Sequence, residues 1–218
     1  MSSEIGENID WSTILEDYFS SSGEKAQCLA WCHKQAESLY SNRRNWIDLP
    51  VIVGSAIIGF LNAGSSSMFD DARISSVALG IGSLSVGILQ TINTYFNWSK
   101  RAEGHRISAI QYAKLYRFLK IEMALPRSQR ITPTDLLKKI RDDYDRLAEI
   151  SPLIPDVVIT EFKKKFSMDK YNEISKPEET NGLTKIDIYT DTFPKSKSVD
   201  TLSSPIAMIK NPIHSNSE

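Results

Sequence analysis

Two stretches of this 218-residue chain carry no Asp, Glu, Lys or Arg, although 24% of all its residues are charged. They are residues 49–69 and 74–99, with lengths of 21 and 26 residues, and only four residues separate them. Uncharged runs of this length predict helices that are surrounded by lipid or by protein on every side. The near-neutral net charge of -1 hides this segregation along the chain.

The second stretch is the stronger candidate for a membrane span. Residues 77–96 form a 20-residue run, which is about the length that crosses a ~30 Å hydrocarbon core as a helix. The first span, residues 47–63, has Pro50 near its start, where the first turn of a helix tolerates proline. We therefore predict an all-α membrane protein with a two-helix transmembrane hairpin over residues 47–96, its second span covering 74–96. The alternative is a buried hairpin in a soluble helical bundle, because the second span also contains polar amide and hydroxyl side chains.

The charges beside the hairpin predict its orientation. Six basic residues flank the spans on the side of the termini, whereas the loop between the spans has one basic and two acidic residues. Segments rich in Lys and Arg stay in the cytoplasm, so both termini are expected there. Tryptophan is enriched at membrane–water interfaces, which fits the same topology. The residues expected at the inner interface are Arg43, Arg44, Trp46, Trp98, Lys100, Arg101, His105 and Arg106.

Helical patterns continue on both sides of the hairpin. We predict a short helix within an N-terminal segment of residues 1–22, and an amphipathic cytoplasmic helix over residues 23–45. A cytoplasmic helical region is expected over residues 97–168. It begins with a long extension of the second span, which Gly104 allows to bend, and it continues with two short helices. The first of these short helices is expected to start at the N-cap Thr132.

The end of the chain has a different composition. The last short helix is expected over residues 156–168. Residues 169–218 are rich in Ser, Thr, Pro and Lys, and their hydrophobic residues are single and without helical or strand spacing. This composition predicts a disordered cytoplasmic tail, which we expect to recruit a protein partner.

No motif supports catalysis, and the balance of 26 basic and 27 acidic residues argues against a nucleic-acid partner. Cys28, Cys32 and His33 lie close together on one predicted helix. Three local ligands fall short of a complete metal site, so buried packing is favoured for them. His105 lies just after the second span, where a histidine could sense pH or contact a lipid phosphate, and a structural or interfacial role is favoured. We predict no catalytic residue, no cofactor and no bound metal.

A stripe of polar side chains runs along the second span. Polar side chains in a span face protein or water rather than lipid. The stripe therefore either lines an aqueous path in a ring of copies or supplies hydrogen bonds between neighbouring helices. Its members are Ser76, Ser83, Gln90, Thr94 and Asn97. The small residues that permit close helix packing are Ser55 and Gly59 in the first span, and Gly82 and Gly87 in the second.

Charge differs strongly between the segments before and after the hairpin. Residues 97–130 hold eight Lys and Arg against two Glu, a net charge of +6. Residues 1–40 hold two Lys against seven acidic residues, a net charge of -5. The basic segment is expected to bind anionic lipid headgroups or to dock on the acidic N-terminal helix.

The layout resembles the SLATT family of two-transmembrane effector-type proteins, most of all the versions encoded by nucleocytoplasmic large DNA viruses. The segments that carry the resemblance are LAWCHKQAESLYSNRRNWIDLPVIVGSAIIGFL, VALGIGSLSVGILQTINTYFNWSKRAEGHR and LAEISPLIPDVVITEFKKKF. The resemblance implies an oligomeric membrane protein, placed in a host-cell membrane or in the internal membrane of a virion if the chain is viral. It also implies pore formation, which has been proposed for bacterial relatives that nucleotide-linked partners trigger.

Two functions fit these features. The first is a homo-oligomeric, multi-pass membrane protein that forms a pore or perturbs a membrane, with the lipid bilayer and further copies of itself as partners. The second is a non-enzymatic structural or scaffolding membrane protein, for example of a viral internal membrane. The hairpin, the polar stripe and the family layout favour the first.

Overall fold

The computed structural model describes residues 9–68, 72–167 and 171–183, and this part of the chain is helical and contains no strand, which confirms the predicted all-α class there. The α-helices of the described residues are α1 (Thr13–Met68), α2 (Ala72–Phe96), α3 (Trp98–Ala124), α4 (Pro133–Ile150), α5 (Asp156–Lys165) and α6 (Glu178–Asn181). A 3-10 turn at Arg127–Gln129 lies between α3 and α4. Residues 47–64 of α1 together with α2 form the hairpin. Residues 13–46 of α1 with α3 to α6 form the bundle.

The first helix is continuous over 56 residues, where the sequence predicts a short helix, an amphipathic helix and a separate span. The predicted break falls at residues 20–23, Ser-Ser-Ser-Gly, which are weak helix formers. In the structure Ser22 and Gly23 are buried, and the Ser22 hydroxyl donates a hydrogen bond to the Tyr18 carbonyl at 2.8 Å. A Cβ on Gly23 would lie 3.4 Å from the Leu119 Cβ on α3. Packing on α3 therefore carries the helix through a segment of low propensity.

The position of Pro50 also differs from the prediction. Pro50 lies inside α1 rather than in the first turn of a separate helix. An interior proline removes one backbone hydrogen bond, a loss that membrane helices tolerate more readily than soluble ones. The first apolar stretch is therefore the direct continuation of the helix that packs in the bundle.

The long helix predicted after the second span is interrupted at Asn97, not at Gly104. Asn97 has φ 47° and ψ 46°, the left-handed region that asparagine tolerates better than most residues. It separates α2 from α3, although the Asn97 N–H still donates to the Asn93 carbonyl at 3.0 Å. Gly104 lies within α3, where a Cβ would be 2.9 Å from the Pro152 Cγ. Its small size therefore allows a close approach of two segments and does not bend the helix.

The core of the bundle lies between α1, α3 and α4. The predicted start of α4 is confirmed, because the Thr132 hydroxyl accepts a hydrogen bond from the Asp135 N–H at 3.2 Å. On the same helix the Tyr144 hydroxyl donates to the Ser22 carbonyl at 2.6 Å, which ties α4 to α1. The buried side chains of this core are Phe19, Ala26, Leu29, Tyr112, Leu115, Leu119, Leu136, Ile140 and Leu147.

The segment predicted as a disordered tail begins with residues that pack on the bundle. The Ser175 N–H donates to Glu24 Oε2 at 2.8 Å, and both Pro177 and Thr180 are buried. The single hydrophobic residue Ile174 contacts the cluster that contains Cys32 and Phe162. Isolated contacts of this kind leave no periodic pattern in the sequence. For that reason the composition predicted disorder where residues 171–183 pack on the bundle. The helix predicted over 156–168 ends at Lys165, and the rest of the predicted tail, from residue 184, lies outside the described residues.

Candidate functional site

The outer surface of the hairpin is apolar and exposed. The two helices that contain the uncharged stretches are long and apolar enough to cross a membrane by length and composition. In the most apolar window of the first helix none of the residues is buried, and in that of the second helix 6% are. A core helix of a soluble protein would be mostly buried. Large side chains exposed on the hairpin include Leu49, Ile52, Ile57, Phe60, Ile74, Val77, Ile81, Leu84 and Ile88.

The two helices of the hairpin contact each other at glycines. A Cβ on Gly54 would lie 3.1 Å from the Val86 Cγ2, and one on Gly82 would lie 3.2 Å from the Ile58 Cδ1. Each glycine thus receives a branched side chain of the opposite helix. Sequence reasoning selected Gly82 as a packing residue but missed Gly54. Gly54 lies one helical turn before Ile58, the residue that contacts Gly82.

The other residues predicted for close helix packing do not take part in these glycine contacts. Ser55, Gly59 and Gly87 are exposed, and nothing in the described chain lies within 4 Å of a Cβ built on Gly59 or Gly87. Around these three residues, the surface of both helices stays uncovered by the other described residues of the same copy.

The polar stripe lies beside the contact between the helices, on an exposed flank of α2. All five of its members, Ser76, Ser83, Gln90, Thr94 and Asn97, are exposed. The Thr94 hydroxyl donates to the Gln90 carbonyl at 2.9 Å, which satisfies it within its own helix. Among the described residues, the Gln90 amide and the Ser83 hydroxyl have no side-chain hydrogen bond. Ser76, Ser83, Gln90 and Thr94 thus lie on α2, whereas Asn97 follows the end of that helix.

A polar contact closes the hairpin at the end that adjoins the bundle. The Asn93 amide donates to Asp48 Oδ1 at 2.6 Å, and the Arg44 Nε lies 3.6 Å from Asp48 Oδ2. This arrangement balances an acidic side chain at the edge of an apolar segment with a hydrogen bond and a nearby cation. Sequence reasoning missed both Asp48 and Asn93. The available signal was an acidic residue at the start of one apolar run and an amide near the end of the other.

Of the residues predicted at the inner membrane interface, most are exposed and some are half-buried. The guanidinium groups of Arg43 and Arg101 lie 5.9 and 6.0 Å from the ring centre of Tyr40, and both arginines are exposed. Trp98 stacks on Phe96 with ring centres 5.2 Å apart. The remaining surface members, Trp46, Lys100 and Arg106, are exposed, and Arg106 is paired with Glu103 at 2.7 Å. Arg44 is half-buried beside Asp48.

His105 lies inside the bundle, not at the surface where the sequence placed it. Its Nδ1 is 2.9 Å from the Nδ1 of His33 on α1. Tyr40 stacks on His105 and Tyr112 stacks on His33, each with ring centres 5.5 Å apart. Burial, and then the charge of His105, lower the pKa of His33 to about 4, and burial lowers the pKa of His105 as well. The four rings form a column that joins α1 to α3.

Cys28 and Cys32 lie away from this column. They pack against Val158 and Phe162 of α5 in a buried apolar cluster. Burial raises the pKa of Cys28 to about 11 and that of Cys32 to about 12, so both remain thiols at neutral pH. Among the described residues, no three His, Cys, Asp or Glu side chains are grouped as a metal site requires.

Comparison with family models, with curated proteins and with solved structures finds no match to this chain.

Proposed function

We propose that the chain is a two-span membrane protein with both termini in the cytoplasm, and that its copies assemble into a ring that forms a pore. The observation that supports this most directly is the hairpin surface. It is apolar where it faces away from the chain, and on one flank of α2 it exposes Ser83 and Gln90, which have no side-chain hydrogen bond among the described residues.

The apolar surface supports membrane insertion. A fully exposed large apolar side chain costs about 1.5–3 kcal/mol relative to a buried one. The nine side chains named above are each more than half exposed, so each carries part of that cost. Lipid removes that cost without any further protein. With 25 residues, α2 would be ~37 Å long at 1.5 Å per residue, which is sufficient for a ~30 Å hydrocarbon core.

Assembly follows from the stripe. Polar side chains that face lipid are unfavourable, and one hairpin is too small to enclose a water-filled path. A ring in which every copy turns its stripe inward satisfies both conditions, and the exposed small residues Ser55, Gly59 and Gly87 allow neighbouring hairpins to approach closely. The resemblance to the SLATT family agrees with this reading.

Flux of a small dye or ion from liposomes tests the pore. Purified protein reconstituted in liposomes is expected to release the solute, and Ser83→Leu and Gln90→Leu are expected to lower the release roughly tenfold or more. Both changes replace a polar group on the stripe by an apolar one, which makes the path less favourable for water and ions.

The matched control is Ser85→Leu. Ser85 is exposed on α2 only two residues from Ser83, but two residues turn about 200° around a helix, so it faces away from the stripe, and its hydroxyl already donates to the Ile81 carbonyl at 2.9 Å. Its flux should stay within roughly twofold of the wild type. Insertion without flux, or a particle mass in detergent that corresponds to one copy, would reject the pore and leave a structural membrane protein.

The basic surface next to the hairpin predicts a preference for anionic lipid. Arg43, Lys100 and Arg101 are exposed there, and in the described chain none of them forms an ion pair with a carboxylate. Each such cation contributes about 1 kcal/mol to binding at an anionic membrane surface. Joint replacement of Arg43→Gln and Arg101→Gln should weaken binding of phosphatidylglycerol by roughly tenfold, as measured by native mass spectrometry of the detergent-solubilised protein.

Lys114→Gln with Arg117→Gln is the charge-matched control, because both residues are exposed on α3 farther from the hairpin. It should retain most of the binding. Inorganic phosphate tests whether the site binds any free anion. If phosphate displaced phosphatidylglycerol equally well from both double variants, the result would contradict a site for a lipid headgroup.

A further inference from the structure

The contact between His33 and His105 depends on how many protons the two rings hold. The two Nδ1 atoms are 2.9 Å apart, and the side chains are 2% and 1% exposed. A hydrogen bond at this distance needs one Nδ1 that carries a proton and one that does not. When both rings are protonated, two N–H donors and two positive charges face each other, and the contact is lost.

We propose that the His33–His105 contact is a proton-operated latch between α1 and α3, which regulates the membrane function proposed above and rests on that function for its role. At neutral pH the latch is closed. Acid opens it and lets the two helices separate at the base of the hairpin.

The surroundings of the pair disfavour positive charge on it. The nearest rings are those of Tyr40 and Tyr112, and the positive charge of Arg101 acts on His105. Neither histidine forms an ion pair with a carboxylate in the part of the chain that the structure describes. The titratable and charged groups around the pair are Tyr40 and Arg43 on α1, Arg101 and Tyr112 on α3, Tyr144 on α4, and Lys25, Glu178 and Glu179 at the adjoining cleft.

Protons can reach the pair without unfolding of the bundle. A solvent-open cleft of about 390 Å³ lies between α1, α3, α4 and the segment before α6, and His33, Tyr112 and Ser151 are among its lining residues. This volume holds several water molecules. His33 therefore borders a solvent-open space, although its side chain is 2% exposed.

The latch lies where it can act on the hairpin. α1 runs without interruption from His33 into the first span, and α3 begins directly after Asn97, where α2 ends. Tyr40, which stacks on His105, lies one turn before Arg44 and two turns before Asp48, the residue that bonds Asn93 of α2. A separation of α1 from α3 therefore changes the angle at which the two spans leave the bundle.

The sign of the pH effect follows from the pKa values. The folded pKa of His33 lies at about 4, below the ordinary value of 6.5, so the closed form binds fewer protons than the opened form. The stability of the closed form is fully present above the ordinary value and is lost as the pH falls from about 6.5 toward 4. Between pH 7.5 and pH 5.0, the ratio of opened to closed molecules should rise by roughly tenfold or more.

Distance measurements between spin labels test the latch. Cysteines introduced by Ser38→Cys on α1 and Ile110→Cys on α3 lie at exposed positions, in a background with Cys28→Ala and Cys32→Ala. In liposomes the labelled protein should show one short distance at pH 7.5 and an added longer distance at pH 5.0. The variant with His33→Gln and His105→Gln should show no such change, because glutamine pairs without titrating.

Several outcomes separate the latch from the pore. The control His214→Gln removes the third histidine of the chain and should keep the pH response. Each single change, His33→Gln or His105→Gln, should also reduce the pH response. These single variants replace the double variant in the test if the double variant does not fold. An unchanged distance at pH 5.0, or a response that persists in the folded double variant, overturns the latch. A clear response without any flux from the same liposomes keeps the latch and rejects the pore.

Discussion

Leu119→Ala is expected to lower the free energy of unfolding of the bundle by about 3 kcal/mol, because truncation of a buried leucine removes apolar contact and leaves a cavity. Leu119 is 1% exposed and contacts the core formed by α1, α3 and α4. It also lies against Gly23 of α1, which has no side chain to fill the space. Thermal unfolding in detergent should show a melting temperature lower by roughly 5–15 °C.

The control for this prediction is Leu153→Ala. Leu153 is 94% exposed in the segment between α4 and α5, so the same chemical change removes almost no contact. The free energy of unfolding should change by less than about 0.5 kcal/mol. Equal effects of the two substitutions would contradict the placement of Leu119 in the core.

The sequence predicted the parts of the fold that depend on long patterns or on local chemistry. The uncharged runs located both helices of the hairpin, because an apolar surface of that length has few alternatives to lipid or a core. The start of α4 was predictable from Thr132, Pro133 and Asp135, since a cap forms within one turn of the chain. Neither inference needed information on tertiary contacts.

The sequence could not predict features that depend on contacts between distant residues. The continuity of α1 through residues 20–23 depends on burial against Leu119, and local propensity predicts the opposite. The partner of His105 is His33, 72 residues earlier in the chain, and no local pattern links them. The packing of residues 171–183 depends on single contacts, such as that of Ser175 with Glu24, which composition averages away.

For the candidate site, sequence spacing indicated which residues are near each other on a helix, but not which of them contact the other helix. Spacing of seven residues, together with Thr94 four residues after Gln90, predicted the polar stripe, and all its members are exposed. The same spacing argument could not distinguish Gly82, which contacts Ile58, from Gly87, which faces open space. That difference depends on how the two helices rotate against each other, and packing of branched side chains at Gly54 and Gly82 determines it.

Gly104→Val is expected to lower the free energy of unfolding by about 2–3 kcal/mol, because it overfills the contact between α3 and the segment after α4. Even the first added atom, the Cβ, would lie 2.9 Å from the Pro152 Cγ and 3.7 Å from its Cδ. Glycine is the poorer helix former, so propensity alone would make the substitution stabilising. A lower melting temperature would therefore show that the steric conflict destabilises the protein more than the better helix propensity of valine stabilises it.

A double-mutant cycle with Pro152→Ala identifies the cause. Removal of the proline ring takes away the atoms that the new side chain meets, so Gly104→Val should cost at least about 1 kcal/mol less in the Pro152→Ala background. Gly80→Val is the control for valine itself, since no atom lies within 4 Å of a Cβ at that position. Additive effects of Gly104→Val and Pro152→Ala would contradict the close approach. That approach positions the segment of Ser151 and Pro152 beside the helix that carries His105, so Gly104→Val should also disturb the cleft through which protons reach the histidine pair.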